Sequence, residues 1–213
     1  MTLVGQGQGG ETAAVELHEA IRRRRMVRSF TSAAVEPAVV DRLLDGARRS
    51  PSAGNTAGVA FVVLEEADTE RYWAVALPGE ARAGFGWPGL LRAPVLVVVT
   101  TSPSAYVARY GEADKATTGL GSGADAWPVP YWFVDAGMAV DRLLLGAVDA
   151  GLGACFFGLF NHERSVLAAL EVPDGWRAAG TVAIGHPGVD DRPGRSARRR
   201  RPSLPEVVHR RRW

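Results

Sequence analysis

"YWFVDAGMAVDRLLLGAVDA", residues 131–150, runs straight into "GLGACFFG", residues 151–158, and this pair decides how the rest of the chain is read. The first stretch reads as a helix that is hydrophobic nearly all round. Asp135, Arg142 and Asp149 recur every seven residues and share one narrow stripe, and only Asp141 lies off it. Such a helix is buried at a domain centre or against a second subunit. Glycine ends it, and the apolar run that follows enters a strand.

Three further runs have strand character: "VAFVVLEE" (59–66), "APVLVVVTT" (93–101), too short and too β-branched for a lone helix, and "GTVAIGHP" (180–187). Helices are expected over 13–25, 37–49, 68–83 and 161–170. The second has Pro37 in its first turn and Val39, Val40, Leu43, Leu44 and Ala47 on one side; the last has Asn161 as its N-cap. Residues 103–130 keep no sustained period, which marks a lid-like or mobile segment, although Tyr106, Tyr110 and Trp127 argue against a plain linker. The Gly/Gln-rich residues 1–12 are expected to be disordered, with one domain over 13–213 and a basic tail at 188–213. A literal G-x-G-x-x-G (Gly5, Gly7, Gly10) has no room for a strand before it and is set aside as a dinucleotide motif.

The composition, 46% apolar with a net charge of +2, suits a globular chain with a core. No apolar run is long enough for a transmembrane helix, and the N-terminus does not read as a secretory signal. A single cysteine, Cys155, excludes an internal disulfide framework and fits a reducing cytoplasm; in its apolar run it reads as a buried, inert thiol. Of 25 Lys plus Arg only Lys115 is lysine, which points to a GC-rich genome rather than to a task. With no zinc-finger spacing, RNA-recognition signature or basic zipper, nucleic acid is not an expected partner. The four histidines are scattered without metal-ligand spacing, and no nucleophile elbow or phosphate loop occurs. A core with no acid–base constellation suits a protein whose chemistry comes from a cofactor.

"RRRRMVRSF" (22–30) is the cationic feature left to explain. A helix ends near Arg24, so Arg25, Arg28 and the backbone between them can converge on one anion, because guanidinium forks match phosphate oxygens. Met26 and Val27 would then pack under whatever the phosphate carries. The other reading is a solvated helix end.

Taken together, the pattern resembles the nitroreductase superfamily of flavin mononucleotide (FMN) enzymes. The stretches that carry the likeness are "AIRRRRMVRSFTSAAVEPAVVDRLLDGARRSPSAGN" (20–55), "VAFVVLEE", "DAGMAVDRLLLGAVDAGLGACFFG" (135–158), and "GTVAIGHP" followed by "RRRRPSLPEVVH". The resemblance implies an α+β nitroreductase-like fold, a central, mostly antiparallel sheet flanked by helices, paired as an intertwined homodimer. It implies that Arg24, Arg25 and Arg28 contact the FMN phosphate and ribityl chain, with Met26 standing where a serine is common. Pro51, Ser52 and Asn55 would reach the flavin across the dimer interface. Phe156, Phe157 and Gly158 would lie along the isoalloxazine, with a backbone N–H on N5, and Arg200 or Arg201 would close on the phosphate. The family often continues Asn-x-Gln-Pro-Trp, where this chain has Ala57, Gly58 and Val59. Residues 103–130 match the variable region over the cofactor, so Trp127, Tyr131 and Trp132 either line the substrate pocket or pack in the core.

The implied activity is ping-pong transfer of reducing equivalents from NADH or NADPH to small electron-poor acceptors, nitroaromatics or quinones, with no side chain required as acid and no metal. Two alternatives stay open: a specialised relative (flavin-fragmenting enzyme, dehalogenase or natural-product dehydrogenase), and a flavin-binding or storage protein without turnover.

Overall fold

The computed structural model describes residues 15–213. The segment 1–12, its glycine motif and the first two residues of the expected 13–25 helix lie outside the described residues. Helix α1 spans Leu17–Arg23, α2 Pro37–Arg48, α3 Ala67–Ala76 and α4 Glu80–Ala83. Helices α5 (Pro103–Tyr110), α6 (Tyr131–Asp149), α7 (Glu163–Ala169) and α8 (Leu204–Val207) follow. The strands are β1 (Val59–Glu65), β2 (Val95–Thr101), β3 (Gly153–Phe157) and β4 (Arg177–Gly185).

The strands form one sheet in the order β1-β2-β4-β3, every pair antiparallel, in an α+β arrangement. Among the described residues the one parallel contact is an isolated bridge between Met26 and Ala154 on the outer edge of β3. All of β2 is buried because both of its faces are covered. Val95, Val97 and Val99 join Val182 and Ile184 against Val40 and Leu43 of α2 and Ala139 and Leu143 of α6. Leu96 and Val98 face the other way, onto Tyr72 and Trp73 of α3, Val166 of α7, and Val27 and Phe30. Side chains alternate along a strand, so a strand covered twice must be apolar at every position.

Helix α6 buries Trp132, Asp135, Ala136, Ala139, Val140, Leu143, Leu144 and Ala147. Its outer side leaves Tyr131 and Val134 exposed and Met138 and Leu145 half-buried. The charge stripe is covered unevenly along its length: Asp135 is buried under Ala53 and Tyr106, whereas Arg142 and Asp149 are exposed.

Local differences from expectation have local causes. The 68–83 helix is two, broken at Pro78 and Gly79, whose φ is +55°. Asn161 is not the N-cap of α7; residues 160–162 make a 3₁₀ turn and the helix begins at Glu163. Glu163 instead ties α7 to β4, taking Arg177 Nε and the Ala178 N–H at 2.8 and 2.9 Å, and the Arg177 guanidinium holds its carboxyl below the usual range. β4 starts earlier than expected, at Arg177, passing a bulge opposite Val99 and Thr100. Residues 103–130 are not irregular. They hold α5, capped by Ser102, and three short 3₁₀ turns over 116–118, 120–122 and 124–126.

Candidate functional site

Residues 25–30 form a strap along the outer edge of β3. The Val27 N–H donates to Ala154 O at 2.9 Å, and the Phe156 N–H points at Met26 Sδ, 3.4 Å away. The backbone groups of Ala154 and Phe156 therefore face outward from the sheet, and Gly158 follows directly on the end of β3 at Phe157. Met26, expected only to lack a serine hydroxyl, has its sulfur on this edge.

The arginine segment does converge on an anion, and within the chain that anion is Asp191. Its Oδ1 accepts the backbone N–H groups of Arg28 (2.7 Å) and Ser29 (3.0 Å), its other oxygen pairs with Arg25, and its side chain is 3% exposed. Consecutive backbone amides of this kind make a concave anion site. Next to it, Asp190 accepts from Ser29 Oγ (2.6 Å) and from Arg92 (3.0 Å), and both hold its carboxyl below the usual range. The two acids were unremarkable in the sequence. Only their contacts across more than 160 positions reveal their part.

Arg28 is thereby separated in role from Arg25. Its guanidinium donates to Met26 O (3.2 Å) and lies 5.3 Å from the Trp87 ring centroid. It opens onto a cleft of about 460 Å³ beside β3, lined by Trp73, Phe85, Trp87, Phe156, Phe157, Gly158 and Phe160, with Asn161 and His162 at the rim. Phe157 stacks on Trp73, centroids 5.5 Å apart. Cys155 lies at the cleft floor; burial pushes its thiol up, away from the reactive thiolate. The size is that of a small-molecule site and the walls are those of a planar ligand's site. Arg24 is half-buried past the end of α1, and its backbone N–H closes that helix on Ala20 O.

Pro51, Ser52 and Asn55 lie in the loop before β1, at the opposite edge of the sheet from β3. The loop is built rather than slack. Ser52 Oγ accepts the Ala57 N–H at 3.0 Å, and Gly54, Asn55 and Ala57 all have positive φ. It is fastened to α6 by Asp135, whose Oδ2 accepts both the Ala53 N–H (2.8 Å) and the Tyr106 hydroxyl (2.7 Å). The residues replacing Gln-Pro-Trp have a packing reason, since a Cβ on Gly58 would sit 2.5 Å from the Tyr106 ring. One chain does not bring this loop and Arg28 into one cleft.

Of the aromatics expected either to line a pocket or to pack in the core, Trp127 and Trp132 pack. With Tyr106 they form a buried cluster, and Trp127 Nε1 donates to Leu120 O at 3.0 Å. Tyr131 is exposed. Indole rings bury large apolar area when the N–H finds an acceptor, as here. In the tail, Arg200 is paired bidentately with Glu206 at 2.7 Å and Arg201 is exposed; neither joins Arg28. Glu206 also caps α8 with Ser203 in a capping box. The tail arginines that share a cavity with Arg28 are Arg192 and Arg195.

Among the described residues no helix is long and apolar enough to cross a membrane, and no group of His, Cys, Asp and Glu could hold a metal ion.

Known proteins match the chain along most of its length. A protein of Archaeoglobus fulgidus provisionally named NADH dehydrogenase/NAD(P)H nitroreductase is 23% identical over 196 residues, 91% of this chain and 96% of its own. The solved structure of the hypothetical oxidoreductase YcnD from Bacillus subtilis has a TM-score of 0.69 at 24% identity, covering 92% of this chain and 73% of that one. A provisionally named nitroreductase from Desulfovibrio desulfuricans, solved in complex with FMN, has a TM-score of 0.64 at 26% identity, covering 90% and 94%. The sequence model of the Nitroreductase family matches residues 21–186, and the chain belongs to that family.

Proposed function

We propose that the chain is an FMN-dependent NAD(P)H oxidoreductase for flat, electron-poor acceptors such as nitroaromatics or quinones, working as a homodimer. The observation that carries this reading is the aromatic cleft along the outer edge of β3, with the Arg28 guanidinium at its side and, among the described residues, no carboxylate paired to that guanidinium. The residues fit the cofactor. The cleft walls suit a tricyclic ring, the Gly158 amide just past β3 would be a donor for a ring nitrogen, and Arg28 and Arg24 would be cations for the phosphate and ribityl chain. FMN supplies the redox chemistry when bound, accepting reducing equivalents from a nicotinamide and releasing them to the acceptor. The chain's own part is to orient the ring on β3, exclude water with Trp73, Phe85 and Phe157, and present an open face near Trp87 and Phe160. No side chain is assigned as an acid.

The dimer follows from the two sheet edges. Pro51, Ser52 and Asn55 reach a flavin on β3 only from a second copy. Apolar side chains are left uncovered for such a copy: Leu17 and Ile21 on α1, Tyr131 and Val134 on α6, and Leu204, Val207 and Val208 at the tail. Sedimentation at micromolar concentration should show a dimer, with an interface of order 2,000 Å² or more in total; a folded, FMN-bound monomer would contradict it.

The cofactor assignment is tested by the absorbance spectrum of the purified protein and by Arg28→Ala. That variant should weaken FMN by about 1.5–3 kcal/mol, the scale of a hydrogen bond to a charged group. Unchanged FMN affinity, measured by flavin fluorescence quenching, would remove Arg28 from the site. Bleaching of the flavin colour by NADH or NADPH separates an enzyme from a storage protein.

A further inference from the structure

We propose that Phe160 sets the preference for flat acceptors, its ring serving as the outer wall against which an acceptor stacks at the mouth of the cleft on β3. The proposal deepens the flavin reading and rests on it for what fills the rest of the cleft. Phe160 is 86% exposed, whereas Leu159 beside it is buried. The other aromatic rings of the cleft, Trp73, Phe85, Trp87, Phe156 and Phe157 among them, are buried or half-buried. The φ of Phe160 is +45°, in the left-handed region that a residue with a bulky side chain enters only when its surroundings hold it there. The turn does so. The His162 N–H donates to Leu159 O at 2.9 Å, residues 160–162 form the 3₁₀ turn, and Glu163 directly after it is tied to β4. This conformation carries the ring back over the end of the strand. A Cβ on Gly158 would stand 3.1 to 3.4 Å from three of its ring carbons, so glycine there gives the ring its place.

Packing explains neither the exposure nor the backbone. A phenyl ring in solvent forgoes its burial, and a side chain in the left-handed region strains a backbone that glycine would leave relaxed. Strain of this kind collects at ligand sites. The neighbouring rings are already engaged: Phe157 stacks on Trp73, and Trp87 carries Arg28 and Arg192, each 5.3 Å from its centroid. Phe160 keeps a face open to solvent at the mouth of the cleft. A planar acceptor gains from that face, because stacked or edge-on rings bury apolar area on both partners. A small polar acceptor covers little of it. Asn161 and His162 line the same rim and carry donors for the oxygens of a quinone or nitro group. Selection of flat acceptors then resides in the turn after β3, and not in Trp127 or Trp132, which pack among themselves and Tyr106.

The experiment compares Phe160→Gly, Phe160→Ala and Phe160→Trp with Val189→Ala, which trims another exposed apolar side chain, one outside the cleft. Melting curves come first. Glycine relieves the left-handed strain and alanine keeps it, so the glycine variant should melt higher than the alanine variant. FMN-loaded protein is then assayed with menadione, a planar quinone, and with ferricyanide, an octahedral ion that cannot stack. The ratio of the KM for menadione to that for ferricyanide should rise about tenfold in the glycine and alanine variants, the scale of a lost aromatic pair. The kcat for menadione should be nearly kept, the mark of lost ground-state binding. The tryptophan variant and the Val189 control should keep the wild-type ratio. Calorimetric titration of menadione into the oxidised protein should give the same order of affinities. An unchanged ratio overturns the proposal, as does a glycine variant less stable than the alanine one. A loss of FMN affinity as large as the loss for menadione gives the ring to the cofactor and overturns it too. If the wild-type chain takes up no FMN, the flavin reading fails by itself. Menadione is then titrated into the ligand-free protein, where weaker binding by the glycine variant than by the tryptophan variant keeps the stack, and equal or absent binding overturns it.

Discussion

Trp127→Ala is expected to cost about 3–5 kcal/mol of folding stability, the range for truncating a buried tryptophan. The ring is 7% exposed and lies within about van der Waals reach of four other aromatic side chains, with centroids 4.7 Å from Tyr110, 5.8 Å from Trp132, 6.0 Å from Tyr106 and 6.1 Å from Tyr131. Its loss leaves a cavity that the surrounding short turns cannot fill by sliding, and it strands the Leu120 carbonyl that accepts the indole N–H. Urea unfolding measures the effect. The same substitution also arbitrates the older alternative for this residue. A variant with wild-type stability and a raised KM for aromatic acceptors would return Trp127 to the substrate pocket.

Asp135→Ala should cost about 2–4 kcal/mol, and Asp135→Asn much less. The carboxylate is 2% exposed and accepts two donors on the same oxygen, the Tyr106 hydroxyl and the Ala53 N–H. Alanine leaves both donors buried without an acceptor, each at about 1–3 kcal/mol. Asparagine keeps one carbonyl oxygen, and because both donors meet on one atom, one oxygen serves both. Burial and the neighbouring carboxylate push the Tyr106 hydroxyl up, so it remains a donor throughout the physiological range. The alanine variant should also loosen residues 51–57, so FMN affinity should fall along with stability. Equal stability of the two variants would show that the hydrogen bonds to Oδ2 do not fasten this loop. Tyr106 packs against both Trp127 and Asp135, so the double variant should cost less than the sum of the two.

The strands were legible because the sheet core is made of uninterrupted β-branched runs, and a strand covered on both faces has no other composition available to it. The helices α2 and α6 were legible from periodicity and from the glycine that closes α6. Helix α5 was not, because its eight residues begin at Pro103 and are flanked by Ser102 and Gly111, which read as turn signals at both ends. Short capped helices look like loops until Tyr106 is seen against Asp135. Arg28 and the strand edge at Phe156 to Gly158, singled out from separate motifs, line one cleft. The partners of the arginine motif were not legible. Asp190, Asp191, Trp87, Arg192 and Arg195 sit in sequence stretches without period, and nothing local to "GVDDRPGR" says that it folds back over the strap. In the tail, the resemblance pointed to Arg200 or Arg201, and Arg200 pairs with Glu206, six positions on.

The grip of Asp191 on the Arg28 amide joins positions 163 residues apart. A closure of that span gains nothing until the sheet has brought both ends together, so in folding it is a late event, set by contact order rather than by local propensity. Two neighbouring carboxylates, Asp190 and Asp191, thus act as a clasp between the strap and residues 188–195.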